Sequence, residues 1–341
     1  MRIMMFGHDY TISGASLLLY RLASRLIEAG HQVDVMSVTP TPGPLSDMFR
    51  EIGAGFPETV RSDNYDLCLG NTIFTGKVVA QFAPVMKTVW WIHEAENGLG
   101  TVLTDTEGYW RAFASIDRII TQTSHAFDNI YRSFVYQCPQ DRLRVVPNGV
   151  SLPEGIGAKP GSGKFRIVSL GNLDFRKRQG DLIEALWRLN DPEIELILIG
   201  RMESLSDSAN DLLQGKASSD FLSRVTLTGA LDHREALEWL RSADLVVHPA
   251  GIESQPLVLF EAGWCNKPMI VADLPVYQGL WKHGDNCLMH PVGDIELLSE
   301  LINCLVRSEA LRKRLGEHAR ATAERFPEHV FWEKLMSAIM D

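Results

Sequence analysis

The residues best suited to chemistry lie where a short apolar run gives way to a helical pattern. The apolar run ends at His248, Glu253 lies in the turn that follows, and Pro256 suits the first turn of a helix. The start of a helix presents amide N–H groups without intrahelical partners and the positive end of the helix dipole, both of which stabilise a bound diphosphate. Glu261 lies further along the same helical pattern. This segment therefore predicts a phosphate site with two carboxylates close by.

The spacing of the two glutamates is weak support by itself. Seven residues separate Glu253 from Glu261, and two other pairs share that spacing: Glu195 with Glu203, and Glu309 with Glu317. Ligands of open α/β sheets bind at the carboxyl ends of strands, which favours the pair that follows an apolar run. Taken alone, Glu253 could instead accept hydrogen bonds from backbone amides at a helix start, and Glu261 could be a solvated helical residue.

Three further features suit a phosphate or sugar ligand but also have plainer explanations. Arg176, Lys177 and Arg178 lie between a β-type run and a helical pattern, where they could contact phosphate or form a solvated turn. His93 follows a β-type run, and an isolated histidine there is more often structural. Gly14 lies in a turn and would permit a close backbone approach to a ligand, or serve only the turn.

The elements that would position these residues alternate between β-type runs and amphipathic helical patterns along the whole chain. We count six β-type runs in each half, the first at Arg2–Phe6 and the last at Cys287–His290. This alternation predicts an α/β protein with two Rossmann-like, doubly wound domains. The Gly- and Pro-rich stretch Ser151–Lys164 suits an interdomain linker, which gives domains of residues 1–155 and 156–341, with the last helix packing back on the first domain. Asn148 and Gly149 predict a left-handed turn.

Composition narrows the classes of protein that the chain could be. The formal charge is −10 and no sustained Lys/Arg run occurs, which argues against a nucleic-acid partner. The five cysteines show no CxxC spacing, so neither a disulfide framework nor a zinc site is indicated, and a cytoplasmic location fits best. The apolar runs are too short to span a membrane, so any membrane contact would be peripheral, at the inner face.

Ordered motifs in this sequence resemble family 4 glycosyltransferases, which are retaining enzymes with the GT-B fold. The motifs are VVPNGV at Val145–Val150, SLGNLDFRKRQGDLIEAL at Ser169–Leu186, VTLTGAL at Val225–Leu231 and ESQPLVLFEA at Glu253–Ala262. In the first half, WWIHEAENG at Trp90–Gly98 resembles the family's strand-end histidine segment. The resemblance implies two domains facing across a cleft, with the acceptor on the first and the nucleotide-sugar donor on the second.

The resemblance also implies roles for individual residues. Glu261 would bind the ribose of the donor, Glu253 would lie by the transferred sugar, and Lys177 would pair with the diphosphate. His93 would lie near the sugar and the acceptor. The remaining implied donor-binding residues are Gly14, Ser254, Gln255, Pro256 and Leu257. The sequence departs from the family at Asn172, where arginine is common, so Arg176 or Arg178 would replace the missing cation.

The activity implied is transfer of a sugar, with a hexose favoured, from a nucleoside diphosphate sugar to an acceptor hydroxyl in glycan, glycolipid or glycoconjugate biosynthesis. No cofactor or metal is expected, and a UDP-sugar is favoured over a GDP-sugar as co-substrate. Two alternatives stay open: an epimerase or hydrolase of sugar nucleotides on the same fold, and a non-catalytic protein that binds them. The sequence indicates neither the acceptor nor the oligomeric state.

Overall fold

The computed structural model describes residues 1–39, 41–136 and 138–341, which form two compact units. The first unit comprises Met1–Pro147 together with Trp332–Asp341, and the second comprises Asn148–Phe331. Across the described part of the chain, no helix combines the length and apolar character that a membrane span requires.

The first unit is built on a parallel sheet of six strands within the described residues. They are β1 (Arg2–Gly7), β2 (Gln32–Ser37), β3 (Leu67–Asn71), β4 (Lys87–Trp91), β5 (Arg118–Thr121) and β6 (Leu143–Val145). The strand order is β2-β1-β3-β4-β5-β6, so the winding reverses between β1 and β3. A reversal of this kind opens a crevice at the carboxyl ends of the two strands, where ligands of doubly wound sheets bind.

Helices connect these strands. They are α1 (Gly14–Glu28), α2 (Leu45–Glu51), α3 (Gly76–Ala80), α4 (Glu96–Thr104), α5 (Thr106–Ser115) and α6 (Arg132–Val135). A reciprocal capping box starts α1, because the Ser13 backbone donates to the Ser16 hydroxyl at 2.8 Å and the Ser16 backbone donates to the Ser13 hydroxyl at 3.3 Å. Gly14 is therefore the first residue of a capped helix.

The second unit repeats this architecture. Its strands are β7 (Phe165–Leu170), β8 (Ile194–Ile199), β9 (Val225–Leu227), β10 (Leu245–His248), β11 (Met269–Ala272) and β12 (Leu288–His290), in the order β12-β11-β10-β7-β8-β9. The helices are α7 (Gln179–Leu189), α8 (Asp207–Asp211), α9 (Ser219–Ser223), α10 (His233–Ser242), α11 (Leu257–Trp264), α12 (Ile295–Arg307), α13 (Glu309–Ala323) and α14 (Glu328–Met340). The winding reverses between β7 and β10.

Apolar clusters cover both faces of the second sheet. One cluster includes Leu259 and Phe260 of α11, and the other includes Leu182 of α7 and Ile302 of α12. All four side chains are fully buried. Runs of apolar residues such as ILI and LVV are expected in strands that are covered on both faces, and they allow only the strand ends to carry polar groups.

The end of the chain returns to the first unit. Trp332 is buried, and the guanidinium of Arg25 lies 4.5 Å from the centre of its ring. Lys87 donates a 2.7 Å hydrogen bond to the carbonyl of Met340. The buried aromatic ring and the cation stacked on it both favour packing of the helix end on the first unit.

Two local predictions from the sequence are wrong. Neither Asn148 nor Gly149 has a positive φ, so the segment does not form a left-handed turn. Gly149 is needed for space instead, because a Cβ there would lie 2.7 Å from the carbonyl oxygen of Pro327. Pro256 is not inside the first turn of α11 but precedes it as the extended N-cap residue.

Candidate functional site

The loops after β7 and β10 meet at the crevice of the second sheet. The two strands are adjacent, and the Gly251 amide in one loop donates a 2.9 Å hydrogen bond to the Arg176 carbonyl in the other. A side chain at Gly251 would crowd Arg178 and Val292 at 3.1 Å, so glycine permits this close approach. Lys177 in the first loop and Glu253 in the second are thereby brought together.

Glu253 is held through one of its two carboxylate oxygens. Its side chain is 7% exposed, and Oε1 contacts the ammonium of Lys177 and, at 2.9 Å, Nε2 of His248. Among the described residues, no hydrogen bond is made to Oε2, and this atom is not among the buried polar atoms that lack a partner. One oxygen is therefore fixed, and the other is available to a ligand.

The electrostatics keep this carboxylate ionised. Burial by itself would raise the pKa of Glu253, but the charge of Lys177 and the hydrogen bond from His248 outweigh it and lower the pKa to about 2. Burial lowers the pKa of His248, against the opposing effect of Glu253, so the imidazole is neutral. Because an ionised carboxylate only accepts hydrogen bonds, His248 must carry its proton on Nε2.

The three cations of the loop after β7 are individually fixed. Asp174 accepts a 2.7 Å hydrogen bond from the Lys177 amide and lies 3.3 Å from the Arg176 guanidinium. Arg178 has a left-handed backbone (φ 56°), and its Nε donates to Asp181 at 2.7 Å. Lys177 is thus the cation directed at Glu253, while each arginine is paired with its own aspartate.

Asn172 is directed towards a different loop. Its side-chain amide donates to Oε1 of Glu203 at 2.8 Å, in the loop after β8. Gln179, which is 1% exposed, donates to the carbonyls of Gly171 and Asn172 at 3.1 Å each. These bonds fix the backbone at the start of the loop.

The amino end of α11 lies directly after Glu253. Pro256 is the N-cap residue of α11. No side chain accepts a hydrogen bond from the amides of the first turn, which begins at Leu257. Ser254 is partly exposed in the loop between Glu253 and this helix. Gln255 is buried and accepts a 2.6 Å hydrogen bond from the Asn148 amide, which anchors the loop.

Glu261 lies within α11. It is 8% exposed, and its Oε1 lies 2.7 Å from Nε2 of His233, the first residue of α10. The His233 side chain is 63% exposed. Glu261 is therefore a nearly buried carboxylate whose partner can be displaced into solvent.

In the first unit, His93 follows β4 and has both ring nitrogens engaged. Nε2 lies 2.6 Å from Oδ1 of Asn71, and Nδ1 lies 2.7 Å from Nε2 of Gln122. The Asn71 amide nitrogen donates to the Ala15 carbonyl at 3.0 Å, which orients Oδ1 towards the ring. The ring is therefore neutral with its proton on Nε2, in agreement with burial lowering the pKa of His93 to about 3. Gly14 has no atom within 4 Å of the position that a Cβ would take.

Sequence reasoning missed two members of these arrangements. No role is assigned to His248 from the sequence, although its position at the carboxyl end of a strand, just before the turn that holds Glu253, is a usable signal. Gln179 gave no signal at all, because a glutamine at a helix start has no distinctive pattern. Its contribution depends on backbone carbonyls that only the folded loop brings together.

Comparison with known proteins matches a large part of the second unit to a family model. The family model described as glycosyl transferases group 1 matches residues 158–322, which covers most of the second unit. The chain is 24% identical to the D-inositol 3-phosphate glycosyltransferase of Xylanimonas cellulosilytica over 249 residues, covering 69% of this chain and 58% of that protein. It is 26% identical to the phosphatidyl-myo-inositol mannosyltransferase of Mycobacterium leprae over 205 residues, covering 57% of this chain and 51% of that protein. The alignments thus span only about half the length of these relatives.

The fold extends over the whole chain. The crystal structure of Anabaena HepE in complex with UDP and glucose is similar with a TM-score of 0.77 and 18% identity, covering 99% of this chain and 98% of that one. At this identity the likeness establishes the fold, which is the GT-B fold with its two parallel sheets. Residues 158–322 thus belong to the group 1 glycosyl transferases, the family 4 glycosyltransferases, and the chain as a whole has the GT-B fold.

Proposed function

We propose that this chain is a retaining glycosyltransferase that moves a hexosyl group from a nucleoside diphosphate sugar to an acceptor hydroxyl, in the biosynthesis of a glycan, glycolipid or glycoconjugate. The observation that carries the proposal is the fixed, ionised Glu253. It is paired with Lys177 through one oxygen and leaves the other free, directly before an uncapped helix start. A free carboxylate oxygen beside a cation and a helix start that no side chain caps suits a ligand that presents both hydroxyl groups and phosphates.

In the proposed reaction, the bond between the anomeric carbon and the diphosphate oxygen breaks, and a bond to the acceptor oxygen forms on the same face. The acceptor hydroxyl gives its proton to the departing phosphate. Lys177 and the amides at the start of α11 stabilise the negative charge that develops on the diphosphate. Glu253 positions the sugar through Oε2 and faces the positive charge that develops at the anomeric carbon.

The nucleotide is proposed to lie along α11. Glu261 would bind the ribose hydroxyls after releasing His233. Because the His233 side chain is exposed, water can solvate it after release, and the exchange costs little free energy. The backbone around the phosphates would be that of Ser254, Gln255, Pro256 and Leu257. Arg176 or Arg178 would take the role of the arginine that is missing at Asn172, and this requires release from Asp174 or Asp181. The UDP bound by the Anabaena protein supports UDP as the nucleotide.

Residues 1–155 are proposed to supply the acceptor side and residues 156–341 the donor side, with the last helix packing back on the first domain. His93 would act near the sugar and acceptor, and Gly14 would let a ligand approach the start of α1. Because both nitrogens of His93 are engaged, direct contact with a ligand would require the ring to exchange one of its partners. We propose a cytoplasmic enzyme, with any membrane contact peripheral.

The first test is calorimetric titration of the purified chain with UDP, GDP and ADP, repeated with Glu261→Ala and Lys177→Ala. Matched controls are Glu317→Ala and Lys313→Ala, since both residues are exposed on α13. We expect UDP to bind most tightly, both site variants to weaken it at least tenfold and the controls to leave it unchanged. Absence of binding to any nucleotide by the folded protein would overturn the proposal.

The second test separates transfer from the alternative activities. UDP release from UDP-glucose is measured with and without hydroxyl acceptors, and the anomeric configuration of the product is read by NMR. Release that accelerates with an acceptor and gives a retained configuration supports a transferase. UDP release at a rate that no acceptor changes would instead indicate a hydrolase. Unchanged donor would indicate a binding protein, and isomerised donor would indicate an epimerase. Activity that persists after chelation supports the prediction that no metal is needed.

A further inference from the structure

Glu94 of the first unit shares an unusual feature with Glu253 of the second. It directly follows His93, and its Oε2 accepts hydrogen bonds from the backbone amides of Ile73 at 2.8 Å and His93 at 3.1 Å. Among the described residues, no hydrogen bond is made to Oε1, and this atom is not one of the buried polar atoms without a partner. One carboxylate oxygen is fixed by the ends of two strands, and the other is available.

The backbone that fixes Glu94 is strained. Thr72, the residue after β3, has φ 84° and ψ 161°, a conformation that is rare for residues other than glycine and especially for a β-branched one. Such strain costs on the order of 1–3 kcal/mol and persists only where the surroundings impose it. The surroundings impose the conformation of Thr72 through two hydrogen bonds. The Thr72 amide donates to the Trp91 carbonyl at 2.8 Å, and the Thr72 carbonyl accepts from Trp90 Nε1 at 2.8 Å.

The side chain of Thr72 adds a second sign of function. Thr72 is 6% exposed, and its Oγ1 is buried without a hydrogen-bond partner. An unsatisfied buried hydroxyl and a strained backbone on the same residue both cost stability. The conformation places the next amide, that of Ile73, on Glu94. Residues that break local rules in this way cluster at ligand sites.

The neighbours of Glu94 leave it as the group able to accept a proton or a hydrogen bond. His93 is neutral and uses both nitrogens on Asn71 and Gln122. Tyr131 donates its hydroxyl to the Glu94 carbonyl at 3.3 Å, and its pKa is raised by burial and by Glu94. No Lys or Arg in the described part of the chain forms an ion pair with Glu94. Burial raises the pKa of Glu94 to about 7, although the backbone amides of Ile73, His93 and Glu94 itself act to lower it.

We propose that Glu94 is an acceptor-binding residue, whose Oε1 receives a hydrogen bond from a hydroxyl of an uncharged, polyhydroxylated acceptor. The inference rests on the proposed function and specifies the class of acceptor. A carboxylate accepts hydrogen bonds from O–H groups and repels anions. A phosphorylated acceptor would therefore be disfavoured at this position.

The kinetic test uses the full chain with UDP-glucose as donor and methyl α-D-glucopyranoside as acceptor, for wild type, Glu94→Gln and the control Glu96→Gln. We expect Glu94→Gln to raise the apparent KM for the glycoside at least tenfold, while UDP affinity by calorimetry stays within twofold and the control matches wild type. An unchanged acceptor KM in Glu94→Gln overturns the inference, as does a wild type that binds UDP but is not accelerated by the glycoside. Loss of UDP binding in wild type would instead refute the proposed function.

A stability measurement separates ligand binding from a structural role. A carboxyl whose pKa is raised by folding stabilises the protein fully below its unfolded pKa of about 4.5, and this contribution is lost as the pH rises through about 7. Above pH 7, ionised Glu94 therefore costs stability that a neutral amide does not. We expect Glu94→Gln to be more stable than wild type at pH 8 and to lose this advantage at pH 4.5. Lower stability of the variant at pH 8 would show that Glu94 is structural and overturn the inference.

Discussion

His248 donates a hydrogen bond of 2.9 Å from Nε2 to Oε1 of Glu253, joining the last residue of β10 to the turn that follows it. The histidine is 2% exposed and neutral, so it supplies direction rather than charge. Lys177 contacts the same oxygen and supplies the charge. The two contacts hold Oε1 of Glu253 in place and leave Oε2 available to a ligand.

Replacement of His248 should affect turnover more than nucleotide binding. A hydrogen bond to a charged group contributes about 1.5–3 kcal/mol, so His248→Leu should lower kcat for UDP release by roughly 10- to 100-fold. UDP affinity should stay within twofold, since the histidine contacts the carboxylate and not the nucleotide site at Glu261. Steady-state kinetics and calorimetry give both values. His248→Gln, which retains a donor, should recover part of kcat; equal activity of His248→Leu and wild type would contradict a positioning role.

The pH dependence of stability should reveal the depressed pKa of Glu253. A carboxyl with a lowered pKa stabilises the folded state above its unfolded pKa of about 4.5, and the contribution is lost as the pH falls towards about 2. The advantage of wild type over Glu253→Gln, on the order of 3 kcal/mol at most, should therefore be constant from pH 8 to pH 5 and shrink below pH 4. Urea unfolding at pH 7, 5 and 3.5 measures it. An advantage that does not change with pH would show that packing, not ionisation, accounts for it.

Glu261 and His233 should differ in their effects on nucleotide binding. If Glu261 binds the ribose, Glu261→Ala removes two hydrogen bonds to hydroxyls and should weaken UDP by 10- to 100-fold, about 1.4–2.8 kcal/mol. His233→Ala should leave UDP affinity unchanged or improve it up to a few fold, because the competing contact of 2.7 Å is removed. Calorimetry with UDP tests both. A larger loss from His233→Ala than from Glu261→Ala would assign the nucleotide contact to the histidine.

The sequence was sufficient for the parts of the molecule that follow from local pattern. Alternating apolar and amphipathic segments predicted two doubly wound sheets, and the strand ends predicted where polar residues would gather. Lys177 and Glu253 are far apart in the chain, yet their contact follows from two strands that lie side by side at the point where the winding reverses.

What the sequence could not provide depends on contacts between backbone groups. The proposed role of Glu94 depends on the amide of Ile73, which the strained backbone of Thr72 directs towards the carboxylate. No residue pattern predicts that a threonine will be strained. The partner of Gln179 is a pair of carbonyls, which are present at every residue. The prediction for Gly149 was wrong for a related reason. Glycine is needed there because a segment distant in sequence packs closely against it, and not because the backbone has a positive φ.

Gly149→Ala should destabilise the second unit by about 1–3 kcal/mol, since overpacking of a tight contact costs this much. The added Cβ would lie 2.7 Å from the Pro327 carbonyl oxygen, 2.9 Å from Glu328 Cα and 2.8 Å from Phe331 Cβ, so the chain near the start of α14 would have to move. Gly157→Ala is the matched control, because nothing lies within 4 Å of its Cβ position and its φ is not positive. It should be neutral or slightly stabilising. Thermal unfolding of both variants tests the prediction. Equal unfolding midpoints for the two variants would mean that the segment after Pro327 moves to accommodate the methyl group without loss of stability.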